Sequence, residues 1–360
     1  MKFNKLTPLL FALLLVFGAQ AKSKKSESHI ADKSNKQKLW IWMNPSQEAP
    51  ERYYDSLYTV WRNYGVTGVF LEADVEKAFR SAKKHGLEAH RWMWTMNRGD
   101  ILKQHPEFAA VSRNGKSTAD APPYVDYYRW MCPTHPGVAE ALKKEVESLC
   151  KKDYIDGIHL DYVRYCDVIL PFTLWKNYGI EQQLEHGEYD FCYCDRCRKL
   201  YAEKYGVDPL TIKYPDQALS WRAFRYEQVV NIVNEVCKVA HTYKKPVSAA
   251  VFPTPEVARR LVRQDWVRFP IDAVCPMVYH SFYDEQPAWI KTAVKEGVDF
   301  MDGKKPLYAG LFLEGFKNIE ELKEGVKMAI EGGANGVSLY SIPTLEQLKA
   351  VQSALKETKK

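Results

Sequence analysis

The chain has 360 residues, of which 46% are hydrophobic and 27% charged. That excludes a wholly disordered, collagen-like or coiled-coil protein and suits two modest domains or one large barrel. The formal net charge is +6, with no basic stripe, so nucleic acid is not expected as the main partner. Aromatic residues make up 13%, including 10 Trp and 22 Tyr, a supply that fits both core packing and stacking on flat apolar faces such as those of sugar rings.

Met1, Lys2 and Lys5 precede the apolar run Leu6 to Phe17, and Ala19-Gln20-Ala21 supplies small residues for cleavage. Residues 1–21 therefore read as an export signal, too short to span a bilayer comfortably. No Cys follows the run before Cys132, so a lipid anchor is not expected. Without these 21 residues and their two lysines the charge falls to +4, partly held by the Lys/Ser-rich stretch 22–38, a flexible polar linker. The mature protein is expected in the periplasm or outside the cell, without membrane contact once the signal is cleaved.

Downstream, short apolar runs alternate with amphipathic helical stretches, the pattern of βα units. The runs lie at 40–43, 65–71, 86–94, 156–162, 246–252, 271–279, 306–313 and 336–340. Helices are predicted over 47–64, 75–85, 136–151, 216–243, 289–296, 319–331 and 345–357. An irregular insertion occupies about 164–215, after the fourth run. Eight such runs reaching the end of the chain, with no glycine-rich phosphate turn after the first, predict one α/β domain over 39–360. The expected fold is a single (β/α)8 TIM barrel with an insertion after strand 4. A doubly wound open sheet is the alternative.

In such a barrel the chemistry gathers at the carboxyl ends of the strands, on alternate residues. Those ends offer Trp42 and Asn44, then Phe70 and Glu72 with Asp74 following. Next come His90, Trp92 and Trp94, then His159 and Asp161, Tyr279 and His280, and Glu314 on the face of Gly310 and Phe312. Carboxylates at a barrel mouth cost several kcal/mol unless paired or wet, so they ask for a reason. Two carboxylic acids across a pocket are the minimum apparatus for cleaving a glycosidic bond, one protonated and one ionised. Asp156, at the start of its strand, is expected to make a turn or a cross-strand hydrogen bond.

The segment Asp156-Gly157-Ile158-His159-Leu160-Asp161-Tyr162-Val163-Arg164-Tyr165, preceded by Met131-Cys132-Pro133-Thr134-His135-Pro136 and a helix, resembles the bacterial glycosyl-hydrolase-like family 10. So does the third run, 86–94. The resemblance implies an exported glycosidase with a (β/α)8 fold, acting on a polysaccharide or glycan, and carries over Asp161 as the residue of interest. Chitinase-like hydrolases place a catalytic Glu two residues after the final Asp of this run. Val163 stands there, which argues against their substrate-assisted chemistry. Several α-glycosidase barrels instead place an Asp nucleophile where Asp161 stands. Asp161 is thus expected as nucleophile or base, with Glu314 as leading partner and Glu72 behind it. Arg164, Tyr165, Tyr279 and His280 would orient sugar hydroxyls, and Trp92 or Trp94 would stack on a ring. A non-catalytic carbohydrate-binding barrel is the alternative. A metal-dependent deacetylase lacks support, because no H-x-x-x-H spacing occurs; no catalytic cofactor is expected.

Cys192, Cys194 and Cys197 fall within six positions of the insertion, and C-x-x-C is a familiar half-site for zinc. The cluster resembles the structural zinc site of some barrel β-galactosidases, whose fourth Cys comes from elsewhere. Cys166 and Cys132 are the nearest candidates for the fourth ligand, Cys166 being preferred. Disulfides, for example from Cys166 to the cluster, and free thiols are the alternatives.

Overall fold

A computed structural model describes residues 37–358. The export signal expected over 1–21, and the linker up to residue 36, lie outside the described residues. Eight strands follow in order: β1 (Lys38–Met43), β2 (Gly68–Leu71), β3 (Glu88–Trp94), β4 (Gly157–Asp161), β5 (Val247–Val251), β6 (Ala273–Pro276), β7 (Tyr308–Phe312) and β8 (Gly336–Tyr340). All neighbours are parallel, in the order β6-β5-β4-β3-β2-β1-β8-β7. Parallel bridges Val274↔Leu307 and Met277↔Gly310 join β6 to β7, so the ring is nearly closed as a (β/α)8 barrel. The join is thin because Pro276 ends β6: it has no N–H to continue a ladder. The apolar run 271–279 consequently yields a strand of four residues, and Met277 to Tyr279 lead into a 3₁₀ turn at His280–Tyr283.

Strands covered on both faces read as apolar runs rather than as alternations, and β2 and β5 are buried along their whole length. The helices outside are one-faced. Glu51–Asn63 buries Tyr54, Tyr58 and Trp61 at helical spacing, and Glu76–Lys84 buries Ala78, Phe79 and Ala82. The last helix, Leu345–Glu357, starts at a capping box of Thr344 and Gln347. A short helix after β5, Pro255–Val262, is capped by Thr254; its eight residues carry too few periods to stand out in the sequence.

Large rings fill the barrel interior. Trp40 stacks on Phe70 with centroids 4.6 Å apart, and Phe70 stacks on His159 at 3.8 Å. Gly68 makes the room: a Cβ there would lie 2.2 Å from the Trp40 ring. Gly157 does the same for His90, whose ring would meet a Cβ at 2.7 Å. His159 is bound at both nitrogens, to Trp42 Nε1 and to Ser248 Oγ, each at 2.8 Å. Burial holds the His159 imidazole well below its ordinary pKa, and pushes that of His90 down to about 4. Both rings are therefore neutral structural members near pH 7. At the other end of the barrel Asp156 accepts the Ala89 backbone N–H at 3.0 Å and Lys83 Nζ at 2.6 Å, a structural role.

The insertion after β4 is not free-standing. Antiparallel bridges tie Ser112 to Phe191 and Ala109 to Met131, so the long β3–β4 connection and the insertion form one layer. Beneath it Arg225 pairs with Asp190 and Arg263 with Glu185. Asp190 also accepts the Tyr193 hydroxyl at 2.7 Å.

Candidate active site

β4 delivers Asp161 to the mouth, where the chain turns at once: Tyr162 has φ of +47°, in the left-handed region that side chains adopt reluctantly. The turn aims the Tyr162 backbone N–H at Asp161 Oδ1, 2.6 Å away, while Trp92 Nε1 donates to Oδ2 at 3.0 Å. Both bonds favour the ionised carboxylate. Burial works against them, and the net effect raises the Asp161 pKa.

Glu72 follows β2 directly. Its N–H donates to Met43 O at 3.0 Å, which prolongs the β1–β2 ladder by one residue. The pleat therefore continues, and Glu72 keeps the inward face of Phe70. Its carboxyl is also raised, first by burial and then by the charge of Asp161, with Arg91 opposing. Both acids line one cavity of about 390 Å³, together with Trp42, Trp92, Trp94, Arg164, Tyr279 and Tyr340. A second hollow of about 790 Å³ shares Glu72, Trp92, Trp94 and Tyr127 with it and adds Arg91, Arg98 and Arg129. The two together make an extended groove.

The structure separates the other expected site residues. Glu314, expected opposite Asp161, does not line the cavity. Once β7 ends, a 3₁₀ turn over Leu313–Gly315 breaks the alternation that would have carried it inward. It is exposed and accepts the Ser341 hydroxyl at 2.9 Å. Asp74 pairs with Lys152 and accepts the Tyr154 hydroxyl at 2.9 Å. Asn44 lies beyond the end of β1 and is exposed. His90 is packed deep against Trp40, and His159 reaches the cavity only through Trp42. His280 is buried in the turn after β6 against Phe316.

Arg164 and Tyr165 part company. The Arg164 guanidinium lies 4.8 Å from the Trp130 ring centroid and 4.9 Å from that of Phe252, and bonds Asp167 Oδ2 at 2.8 Å. Tyr165 is buried away from the cavity, and the thiols bearing on its phenol are Cys197, Cys132 and Cys192. The turn at Tyr162 ended the strand, so strand parity does not extend to either residue.

The sulfur cluster also differs from expectation. Cys132, Cys192, Cys194 and Cys197 present sulfurs that all lie within 4.8 Å of one another. Cys166 is buried elsewhere, where Asp167 and Arg164 are the charges that bear on its thiol. Cys132 arrives through the bridged layer, with its N–H on Phe108 O at 2.7 Å. None of the four lines the cavity.

Some lining residues were missed. Tyr340, on the same face as Ser338, is the register partner of Trp42, and the parity of β8 alone would have found it. Asp167 and Tyr127 come from loops and Tyr178 ends a four-residue helix, Trp175–Tyr178, all too short or irregular for periodicity to point to them.

The fold is shared with solved glycosidases. The β-galactosidase of the haloarchaeon Halorubrum lacusprofundi superposes with a TM-score of 0.63 at 12% identity, over 89% of this chain and 58% of that one. This chain thus spans a little over half of that enzyme. The catalytic domain of a β-amylase from Paenibacillus polymyxa gives 0.60 at 10% identity, over 90% of this chain and 97% of that one. An endo-β-1,4-mannanase from Thermotoga petrophila gives 0.54 at 10%, over 90% and 77%. At these identities the likeness is one of fold. No curated protein matches in sequence. A family model described as glycosyl hydrolase-like 10 matches residues 47–313, and the chain belongs to that family.

Proposed function

We propose that this protein is an exported glycoside hydrolase that cleaves O-glycosidic bonds of a polysaccharide or glycan with the carboxyl pair Asp161 and Glu72. The observation that carries this reading is the presence of both acids in one aromatic-walled cavity at the barrel mouth. Asp161, held by two N–H donors, suits the ionised role of nucleophile or base. With Asp161 ionised, its charge favours retention of the proton on Glu72, which suits the general acid. Glycosidic cleavage requires one acid of such a pair to stay protonated while the other is ionised.

The walls suit a carbohydrate. Trp92, Trp94, Tyr279 and Tyr340 offer flat faces and ring-edge donors, while Arg164 and Asp167 supply fixed polar groups. The groove running on toward Arg98 and Arg129 offers room for more than one sugar unit. Export rests on residues 1–21 of the sequence. The test is turnover of a panel of glycans by the mature chain beside its Asp161→Asn variant. Activity that disappears in the variant supports the reading. Activity untouched by it removes Asp161 from the mechanism, and sugar binding without turnover by the wild type would favour a non-catalytic carbohydrate-binding barrel.

A further inference from the structure

The four clustered cysteines lie outside the cavity and take no part in the proposed reaction, yet their arrangement is specific. Cys132 Sγ lies 3.6 Å from Cys194 Sγ and 3.5 Å from Cys197 Sγ. A tetrahedral zinc site with Zn–S of about 2.3 Å has sulfur–sulfur edges of about 3.8 Å. Cys132 thus approaches two partners equally, as a shared centre requires, whereas a disulfide would single out one and leave the others behind. Backbone and hydroxyl groups point at the same sulfurs. The Val111 N–H donates to Cys192 Sγ at 3.3 Å and the Cys197 N–H to Cys194 Sγ at 3.5 Å. Thr134 Oγ1 lies 3.1 Å from Cys132 Sγ and 3.2 Å from Cys197 Sγ. Cys194 is the N-cap of the helix Asp195–Tyr205, and Cys197 lies in its first turn, where the helix dipole favours thiolates.

We propose that Cys132, Cys192, Cys194 and Cys197 bind one Zn²⁺ as a closed, structural tetrathiolate centre that fastens the insertion to the β3–β4 connection. Thiolates select a soft or borderline ion, and four of them complete a tetrahedron with no position left for water or substrate. The thiols give up their protons to solvent as the ion enters. The fastening bears on the cavity through covalent continuity. One side of the layer carries Asn97 and Tyr127, which line the groove, and the other carries Asp167 and Tyr178. Loss of the ion would loosen the walls while leaving the β2 and β4 acids on the barrel. This inference is independent of the glycosidase reading.

The test uses the full mature chain, purified with a thiol reductant and without added chelator. Elemental analysis is expected to find one zinc per chain, and thiol titration after denaturation in chelator to find all eight cysteines reduced. Cys166→Ser is expected to keep the zinc, and Cys132→Ser to lose at least half of it with a lower Tm. Should Cys132→Ser not fold, release of zinc from the wild type by a mercurial reagent, followed by its effect on Tm, replaces that variant. Cobalt substituted for zinc should show the visible bands of a tetrahedral thiolate site. Absence of metal, iron in place of zinc, two disulfides among the eight cysteines, or retention of full zinc by Cys132→Ser would each overturn the proposal.

Discussion

Trp92 hydrogen-bonds Asp161 across the β3–β4 boundary, its indole N–H 3.0 Å from Oδ2. The register opposite Asp161 is held by Trp94, so the indole reaches forward along the sheet to the carboxylate at the mouth. That bond favours the ionised form of Asp161 and partly offsets the burial that raises its pKa.

Removing that donor tests the link. Trp92→Phe keeps an aromatic face and deletes the N–H, so the ionised form of Asp161 loses support and its pKa rises further. The acidic limb of the kcat/KM profile is expected to move to higher pH. An unmoved limb would mean that the bond does not tune the acid.

The acid pair predicts a ranking. Asp161→Asn and Glu72→Gln are each expected to lower kcat by about 10²–10⁴-fold, the range for a lost acid or base. Glu314→Gln, exposed and turned to Ser341, is expected to stay within a few-fold. Turnover of one glycan by all three, with circular dichroism to verify folding, decides between Glu72 and Glu314.

The raised carboxyl of Glu72 carries a stability signature of definite sign. A group whose pKa is higher folded than unfolded adds stability below its unfolded pKa, and that contribution is lost as pH rises through the folded pKa. Glu72 therefore weakens the fold near neutrality, where the unfolded chain ionises freely a carboxyl whose ionisation the folded site resists. Glu72→Gln should raise Tm above that of the wild type at pH 7, and the advantage should shrink as the pH falls through the carboxyl range. A variant less stable at pH 7 would contradict the burial argument.

Gly68 is predicted to be irreplaceable for packing alone. A methyl group there would lie 2.2 Å from the Trp40 ring, and the ring is held between Phe70, His90 and Tyr308. Gly68→Ala is expected to cost at least the roughly 1–3 kcal/mol of an overpacked core, read as a lower urea midpoint at unchanged slope. Gly115, with open space around its missing Cβ but a φ of +77°, serves as a control whose alanine variant tests backbone strain without a clash.

Apolar runs and strand alternation along the chain determined the barrel, the positions of its eight strands, and the inward faces of Glu72, Trp92, Trp94 and Asp161, because side chains on a strand point to opposite faces in turn and need no distant information. β8 emerges at Gly336–Tyr340, the run read from sequence alone. Only the tertiary structure decided what happens once a strand ends. The turn at Tyr162 sent Arg164 to the cavity and Tyr165 away from it, and the 3₁₀ turn after β7 put Glu314 outside. Likewise only pairing between two long loops brought Cys132, rather than the nearer Cys166, to the other three sulfurs. Past the last ladder hydrogen bond a side chain's direction depends on the contacts its loop makes, and those partners lie dozens of residues away.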